Sequence, residues 1–476
     1  MTPAAFAVRI RPETTAAPAQ ASRALWTGLA VFAAAWMLQV LVQYMVPAGC
    51  HTRYWGLNLR GMSQFRAHLG LSHLPTLTPQ SYSLLFRVSL LMLWSGYALS
   101  LLAAWQGAAL RVRPLAAAIF TAAVTTAILV PPLLSSDVYA YAAHGRLFVL
   151  YGQNPCQTLP IYLADVGDSV APYLVWNWPT VYGPVWTRIE IAAVGLLHSG
   201  GLWPQVVLLK LVQAGALTAA ALAGRRITQI LSPGRENLTL LAIGLNPLLL
   251  LEGPGNGHND LLMVSFLLVG AMFYLEKKYL PAALFLGLSV GVKMVTLAVL
   301  PWVLMDYSRG RSWRQKFGAA FVAIALVLLP SVICYSGLGS GLETLAAVQS
   351  RSLYRASPEA LAQDQQVFLW LLTHGIQAVL AAPLVTLFQD RVVVLLYALL
   401  TVWLWRQRQD GAWMTAWVLL AACAMLLLMG LPFPWYICWF WPLCLLRWDR
   451  LHLSLSAACF CLSLTWMSGY GLLFPS

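Results

Sequence analysis

The sequence carries little charge. Asp, Glu, Lys and Arg together make up 9% of its 476 residues, whereas they make up about a quarter of an average soluble protein. This shortage leaves too few ionised side chains to cover a water-facing surface, and it excludes an ordinary soluble enzyme. Acids are the scarcer sign, with 16 Asp and Glu against 29 Lys and Arg. In so apolar a chain, the basic excess indicates positively charged cytoplasmic loops, and no nucleic-acid partner is expected.

Cysteine is also sparse. The eight Cys are scattered along the chain, and they lack the paired spacing of a zinc site or of a dense disulfide framework. We interpret most of them as small core residues. Cys50 and Cys156 fall in polar stretches, and a disulfide between these two remains an open alternative.

Hydrophobic residues are abundant. They make up 60% of the chain and include 21 Trp, 18 Tyr and 17 Phe. They form runs of about 20 residues, the length that crosses a bilayer as a helix. The sequence therefore predicts an all-α polytopic membrane protein. Its parts are a cytoplasmic N-terminal tail at 1–24 and a single transmembrane domain at 25–476.

The basic clusters constrain how this domain crosses the membrane. About fourteen apolar runs are present, but the clusters cannot all face the cytoplasm if every run crosses fully. The basic clusters can all face the cytoplasm if three of the runs include a re-entrant or broken piece. These runs are 184–199, 280–305 and 366–388. We therefore expect about 11–14 transmembrane helices, with about eleven full crossings. The outer side then receives three long loops, at 47–83, 135–183 and 337–365.

An acid, Asp137, follows directly after an apolar run, in the segment Ser-Ser-Asp-Val-Tyr-Ala-Tyr at 135–141. A serine here can cap a short helix, and a carboxylate is favoured in the first turn of a helix. The alternative to simple capping is a general base that takes a proton from an acceptor hydroxyl. Asp165 and Asp168, further along the same predicted loop, are interpreted as solvated loop charges.

The stretch 176–186 packs Trp, Tyr, Gly and Pro into one re-entry to the membrane. Aromatic side chains are expected at a membrane interface, and a belt of interfacial anchors explains them. The alternative is a sugar platform, in which aromatic faces pack on a pyranose ring. Asn177 or Tyr182 would then supply hydrogen bonds to the sugar.

The sharpest local signal is Glu-Gly-Pro-Gly-Asn-Gly-His-Asn-Asp at 252–260, between two apolar runs. Polar side chains at such a place are costly unless they are paired, so they favour a functional site over a satisfied structural histidine. His258 would contact a phosphate or hydroxyl, Asn259 would read sugar hydroxyls, and Asp260 would orient His258 or pair with a cation. No cofactor is expected. A divalent cation held by His258, Asp260 and Asp137 stays an alternative, although the spacing is not a metal signature.

Lys293 interrupts an apolar run and has no acidic residue one helical turn away. A lipid phosphate in a cavity would satisfy it, and snorkelling to the membrane surface is the alternative. Arg351 and Arg355 are four residues apart and could present two more phosphate donors from the loop 337–365, or could form a solvated surface pair.

A last aromatic group, Trp435 and Tyr436, follows Pro434 at the start of an apolar run. Proline fits the start of a helix. The two rings are either interfacial anchors or the wall of a groove for a polyprenyl chain.

Taken in order, these stretches resemble the membrane-embedded polyprenyl-phosphate-sugar glycosyltransferases of the C-type fold (GT-C), and most closely the bacterial α-(1,6)-mannopyranosyltransferases. The resemblance covers residues 120–450. It rests on five motifs: Ser136-Asp137-Val138-Tyr139-Ala140-Tyr141 with Gly145-Arg146, Tyr182-Gly183-Pro184-Val185-Trp186, Gly257-His258-Asn259-Asp260, Gly287 to Lys293 with Pro301, and Pro434-Trp435-Tyr436.

The resemblance implies a GT-C-like helical bundle with catalytic outer-side loops. It implies a hexosyltransferase that moves a sugar, expected to be mannose, with inversion from a polyprenyl-phosphate donor to a hydroxyl of a lipid-linked or glycan acceptor. The enzyme would lie in the bacterial cytoplasmic membrane, with its active site facing the periplasmic or extracellular side. Its partners would be donor, acceptor and membrane lipid.

The resemblance also assigns roles to residues. Asp137 inherits the role of the catalytic aspartate, which deprotonates the acceptor. Lys293, Arg351, Arg355 and His258 become candidates for the donor phosphate. The candidates for sugar or acceptor contacts are Tyr139, Tyr141, Asn177, Tyr182, Asn259, Asp260, Trp435 and Tyr436.

Two alternatives remain open at this point. A retaining enzyme would need a second carboxylate about 5 Å from the first, and Asp260 could supply it. A transporter or lipid flippase would also contain many helices and intramembrane charge. Transporters typically show repeated halves with polar residues near the midplane, whereas this sequence gathers its polar residues at one side and has no detectable repeat.

Overall fold

The structure is a computed structural model, and it describes residues 18–45, 66, 70–108, 110–132, 135–174, 177–339, 341–344, 346, 382–407, 410–428 and 434–471. All regular secondary structure in these ranges is helical, which confirms the predicted all-α class. The helices, numbered along the chain, are α1 (Pro18–Tyr44), α2 (Pro79–Trp105), α3 (Val112–Leu129), α4 (Asp137–Tyr151), α5 (Tyr162–Asp165), α6 (Pro184–Leu196), α7 (Leu202–Leu231), α8 (Glu236–Gly244), α9 (Pro247–Leu250), α10 (Asp260–Leu275), α11 (Tyr279–Val292), α12 (Leu300–Tyr307), α13 (Trp313–Tyr335), α14 (Ala382–Arg406), α15 (Ala412–Leu428), α16 (Trp441–Cys444) and α17 (Arg450–Gly471).

Five of these helices are long and apolar enough to cross a membrane, namely α1, α2, α3, α7 and α13. A sixth span results if α8 and the segment Pro247–Gly255, which meet at a 46° bend, are counted together. Five shorter apolar helices of 10–17 residues accompany them. The protein is therefore a multi-pass membrane protein, and the expected count of 11–14 helices stays a prediction.

The chain divides into two compact units, each built from separate stretches of sequence, and the expectation of a single domain at 25–476 stays a prediction. Unit 1 consists of Met1–Ser136, Gln213–Gly257 and Cys444–Ser476, and unit 2 consists of Asp137–Val212 and His258–Leu443. The first helix begins at Pro18, inside the predicted polar tail at 1–24.

Unit 1 is held together by buried hydrogen bonds between its apolar helices. The Tyr97 hydroxyl donates to the carbonyl of Ala242 at 2.7 Å and receives a hydrogen bond from the Asn246 amide at 3.3 Å. The Asn246 side chain also caps α9, and Pro247 follows at the first helical position. These contacts explain the bend, because α8 has ended and α9 starts afresh after the cap.

Unit 2 contains every predicted site residue that the structure describes, and two antiparallel helices, α10 and α11, form its centre. They are joined by a short turn at Glu276–Lys278, and α11 also packs along α13. The run 280–305 was expected to be broken at Lys293, and this is confirmed: α11 ends at Val292, Lys293 is extended, and a 3-10 helix follows at Met294–Val299.

The short helix expected within the predicted outer loop 135–183 is present as the fifteen-residue helix α4, most of which is buried. Another segment differs from the expectation. Pro434 opens a 3-10 helix, Pro434–Trp439, where an apolar α-helix was expected. The third predicted break, at 366–388, and Cys50 lie outside the part of the chain whose side chains are described, so the break and the disulfide with Cys156 stay predictions.

Candidate active site

Asp137 occupies the first turn of α4, where a carboxylate is stabilised by the helix dipole. Its side chain is 15% exposed, so it can be reached while being largely fixed. The imidazole Nδ1 of His258 lies 3.4 Å from Asp137 Oδ2. The Tyr182 hydroxyl points to the same oxygen at 3.5 Å, the outer limit of a hydrogen bond. Three of the five sequence motifs therefore meet at one carboxylate.

His258 is almost completely buried, with 1% of its side chain exposed. One face of its ring stacks on the Trp435 indole, with ring centroids 4.1 Å apart and planes 19° apart. The ring is thus held by Trp435 and by Asp137. Such a buried histidine is better placed to orient Asp137 than to reach a bound phosphate.

Asp260 opens α10 and forms a buried ion pair with Lys293. Lys293 Nζ lies 2.5 Å from Asp260 Oδ1, and the Trp439 indole N–H donates to the same oxygen. Asp260 is fully buried, and the Lys293 side chain is 15% exposed. Lys293 was expected to need an anionic partner, and that partner is the carboxylate of Asp260. Of the two roles expected for Asp260, the structure therefore shows pairing with a cation.

Three aromatic rings surround the Lys293 ammonium group. Nζ lies 5.5 Å from the ring centroid of Tyr182, 5.8 Å from that of Tyr436 and 5.7 Å from that of Trp439. Cations within about 6 Å of an aromatic face are attracted by it. Tyr182 touches both Asp137 and Lys293, so it connects the two charged pairs into one site.

Two glycines bring the Tyr182 segment onto the end of α11. The backbone N–H of Gly183 donates to the carbonyl of Val292 at 3.0 Å. A Cβ atom on Gly183 would lie only 2.2 Å from the carbonyl oxygen of Gly291, and one on Gly291 would lie 2.4 Å from a methyl carbon of Val185. This close approach explains both glycines, and it sets the distance between Tyr182 and Lys293.

Asn259 and Asp260 present polar atoms that lack hydrogen-bond partners among the described residues. Asn259 is fully buried, and neither its amide oxygen nor its amide nitrogen has such a partner. Asp260 Oδ2 likewise has no hydrogen-bond partner among the described residues. Buried polar groups are normally paired, so these atoms favour a polar ligand at the start of α10.

The structure does not bring every predicted residue to this site. Tyr139 is buried in a separate aromatic cluster, where its ring stacks on Tyr173 with centroids 5.0 Å apart. Residues two apart on a helix point in nearly opposite directions, so Tyr139 and Asp137 cannot share a face. Asn177 is exposed, and its side chain accepts a hydrogen bond from the Ile161 N–H at 2.8 Å, so it supports the loop.

Tyr141 lies behind the site. It is fully buried, and its ring meets Tyr182 and Trp186 edge-on, with centroids 5.1 and 5.0 Å away. It therefore supports Tyr182 from within the protein core. Arg351 and Arg355 lie outside the described residues, and their proposed phosphate contacts stay predictions.

Sequence reasoning missed two features of this region. Trp439 contacts Asp260, but its segment was interpreted as an apolar helix, and one more aromatic ring among several in such a helix does not indicate a polar contact. Asp168 was interpreted as a solvated loop charge, and this is wrong: it is buried and receives hydrogen bonds from Arg146 at 2.9 Å and from Tyr151 at 2.7 Å. Burial favours a higher pKa for Asp168, but the hydrogen bonds from Arg146, the Val170 N–H and Tyr151 outweigh it, so the pKa is lowered.

The sequence left a divalent cation held by His258, Asp260 and Asp137 as an alternative. Throughout the described ranges, no three His, Cys, Asp or Glu side chains gather closely enough to hold an ion. Asp260, one member of the suggested set, is bound to Lys293. The expectation that the enzyme requires no cofactor stays a prediction.

An all-helical membrane protein with a buried cluster of acid, histidine, lysine and aromatic rings has the features of a membrane-embedded transferase. Residues 59–309, more than half of the chain, match the family model described as "Alpha-(1->6)-mannopyranosyltransferase, N-terminal domain". The chain therefore belongs to the α-(1→6)-mannopyranosyltransferase family, which is a family of hexosyltransferases. This assignment decides against the transporter alternative.

Individual relatives agree with the family. The chain is 26% identical to α-(1→6)-mannopyranosyltransferase A of Mycobacterium tuberculosis over 376 residues, which cover 74% of this chain and 70% of the relative. It is 26% identical to the A enzyme of Corynebacterium glutamicum over 46% of this chain and 48% of the relative. It is 28% identical to the B enzyme of that species over 32% of this chain and 25% of the relative.

Proposed function

We propose that this protein transfers mannose, with inversion, from a polyprenyl-phosphate donor to a hydroxyl of a lipid-linked or glycan acceptor at the outer face of a bacterial cytoplasmic membrane. The observation that carries the proposal is the placement of Asp137. It is the partly exposed carboxylate of the cluster, and a buried histidine holds it from one side. The family supports the choice of sugar.

In the proposed reaction, Asp137 accepts the proton of the acceptor hydroxyl as that oxygen attacks the anomeric carbon. The bond between this carbon and the phosphate oxygen breaks on the opposite face, and the pair of electrons leaves with the polyprenyl phosphate. His258 stabilises the orientation of Asp137, which revises its expected role at the phosphate because its side chain is 1% exposed. A fixed base of this kind contributes about 10²–10⁴-fold to a rate.

The inverting course is favoured because Asp260 is a poor candidate for a second catalytic carboxylate. It is fully buried, and its Oδ1 is bound by both Lys293 and Trp439. A nucleophile must reach the anomeric carbon, whereas this carboxylate is turned into the protein. Asp260 instead fixes the position of Lys293.

Lys293 remains a candidate for the donor phosphate in spite of its ion pair. An ammonium group has three N–H donors, and Asp260 and the aromatic rings leave 15% of the side chain exposed. It can therefore keep its carboxylate partner and donate to a phosphate oxygen. The contact of the adjacent Asn259 with sugar hydroxyls stays a prediction, because its amide is fully buried in the structure.

The polyprenyl chain has a suitable place beside this site. An apolar cavity of about 280 Å³ lies between α14, α15 and the two 3-10 helices of unit 2 at Met294–Val299 and Pro434–Trp439. Trp439 lines this cavity and also donates a hydrogen bond to Asp260. We propose that the polyprenyl chain of the donor enters the cavity past Trp439 while the donor phosphate lies near Lys293.

The test is transfer of radiolabelled mannose from polyprenyl-phosphate mannose to a membrane lipid extract. Asp137→Asn should lower turnover by about 10²–10⁴-fold because it removes the base and keeps the shape. Asp165→Asn is the matched control, since Asp165 is an exposed acid in the same predicted outer loop. Full turnover by Asp137→Asn would contradict the assignment, and no product from the wild type would contradict the donor.

The membrane side is tested separately. Reporter fusions at Arg226 and Ser340 should report opposite sides, with Ser340 outside. A result on the same side for both fusions would contradict the proposed orientation.

A further inference from the structure

A second apolar cavity of unit 2 lies away from the active site. It has a volume of about 180 Å³ and is bounded by α10, α11, α12, α13 and α15. Its space arises because three of these helices present small residues to one another: Gly270, Ala271, Ala282, Ala283, Ala319 and Ala323. Larger side chains at these positions would close it.

The cavity opens toward the lipid-facing surface of unit 2. Leu280 and Val322 both line it, and they are 58% and 54% exposed. The helix that carries Val322, α13, is the least buried of the candidate spans, with 6% of its most apolar stretch inside the protein. In a bilayer, this surface would contact lipid chains rather than water.

One end of the cavity is polar and basic. Tyr307 lines the cavity, and the guanidinium carbon of Arg311 lies 3.8 Å from its ring centroid. Lys316 follows in the first turn of α13, three residues before the lining residue Ala319 and therefore on the same face of that helix, whereas Arg314 lies on the opposite face. Within the described ranges, Arg311, Arg314 and Lys316 form no ion pair, whereas the neighbouring Arg309 pairs with Asp306 at 3.5 Å.

We propose that this cavity binds one acyl chain of an anionic phospholipid, and that Arg311 and Lys316 bind its phosphate group. The cavity is apolar along its length, and uncompensated cations stand at its mouth, so it matches a molecule with a long apolar chain and an anionic head. A zwitterionic lipid would match the apolar cavity, but it would bring no net negative charge to the cations at the mouth. The proposed orientation places this mouth at the cytoplasmic leaflet, where anionic lipids are enriched.

The binding test needs no sugar donor, so its outcome is independent of the proposed reaction. The full-length protein in detergent would be incubated with phosphatidylglycerol or phosphatidylcholine of the same chains, and retained lipid would be counted by native mass spectrometry. The wild type should retain phosphatidylglycerol in preference. Each of Arg311→Gln and Lys316→Gln should lower this retention by about fivefold, since a basic residue near anionic lipid contributes about 1 kcal/mol.

Matched variants separate the contribution of the basic side chains to lipid binding from the contribution of the cavity. Arg113→Gln removes an exposed arginine at the start of α3 and should leave retention unchanged. Ala323→Leu fills the cavity and should lower retention of both lipids, whereas Ala325→Leu on the exposed side of the same helix should not. Each variant would be checked for intact folding by circular dichroism and gel filtration.

Three results would overturn the proposal. One is equal retention of the two lipids by the wild type. Another is unchanged retention in Arg311→Gln, Lys316→Gln and Ala323→Leu. The third is displacement of bound phosphatidylglycerol by polyprenyl phosphate in the wild type but not in Ala323→Leu, which would assign the cavity to the donor.

Discussion

The two ends of the α10–α11 helix pair differ in how deeply their ion pairs are buried. At one end, which we call the site end, Asp260 and Lys293 are paired in the interior and ringed by aromatic side chains. At the other, which we call the lipid end, Asp306 and Arg309 are paired near the surface. Since α10 has sixteen residues and rises about 1.5 Å per residue, the two ends are about 20 Å apart.

One pair of apolar helices therefore places charged side chains in two different environments. Burial makes the charges at the site end dependent on one another, because an unpaired charge there would be very costly. At the lipid end, solvent or lipid head groups can replace a lost partner. The site end should therefore be sensitive to single substitutions, and the lipid end should tolerate them.

The largest expected effect is on stability at the site end. Asp260→Asn leaves Lys293 charged without its carboxylate, and breaking a buried pair costs about 3–5 kcal/mol. Asp306→Asn at the lipid end removes a pair whose arginine and aspartate side chains are 31% and 10% exposed, and Arg309 keeps its hydrogen bond to the Leu404 carbonyl at 2.6 Å, so its loss should be the smaller one. Thermal unfolding in the same detergent should show a much larger loss for Asp260→Asn.

A double variant tests the cause of that loss. Asp260→Asn combined with Lys293→Met removes both charges and should recover part of the stability of the single variant. Equal losses for Asp260→Asn and Asp306→Asn, or the absence of recovery in the double variant, would mean that the two ends do not differ in the way described.

A smaller effect is expected where the loop meets the site end. Gly183→Ala places a Cβ atom 2.2 Å from the carbonyl oxygen of Gly291, so the Tyr182 segment must shift. Overpacking of this kind costs about 1–3 kcal/mol, and mannosyl transfer should fall because Tyr182 contacts both Asp137 and Lys293. Gly195→Ala is the control, since nothing lies within 4 Å of its added atom. Wild-type transfer by Gly183→Ala would show that the close approach is unimportant for activity.

Buried and exposed charge can also be compared within one predicted loop. Asp168 is buried against Arg146, and Asp165 is exposed. The pKa of Asp168 is lowered in the folded protein. Its stabilising effect is therefore complete above the unfolded pKa of about 3.9, and it is lost as the pH falls through the lower folded value. Hydrogen bonds to charged groups contribute about 1.5–3 kcal/mol.

The measurement is the unfolding midpoint between neutral pH and pH 3. Asp168→Asn should lower the midpoint at neutral pH and should flatten its decline in acid, whereas Asp165→Asn should follow the wild type. Parallel curves for Asp168→Asn and the wild type would contradict the proposed linkage.

The helical class and the polar positions could be predicted from sequence because they are local signals. Asp137, His258 and Lys293 each stand out as a polar residue beside apolar runs. Their partners could not be predicted, because Lys293 meets Asp260 across 33 residues and Trp439 meets Asp260 across 179. Tyr139 was grouped with Asp137 by motif, but helix geometry turns it into another cluster.

The smallest effect is expected in the cavity beside the site end. Ala424 lines that cavity, and Ala424→Phe would occupy part of the space proposed for the polyprenyl chain. Each CH₂ group removed from an apolar environment costs about 0.8 kcal/mol, so loss of two such groups would raise KM by about tenfold for a long-chain donor. A donor with a short prenyl chain should be unaffected, because it does not reach the cavity. Equal changes for both donors would instead indicate that the substitution disturbs Trp439, and the chain would then have to lie elsewhere.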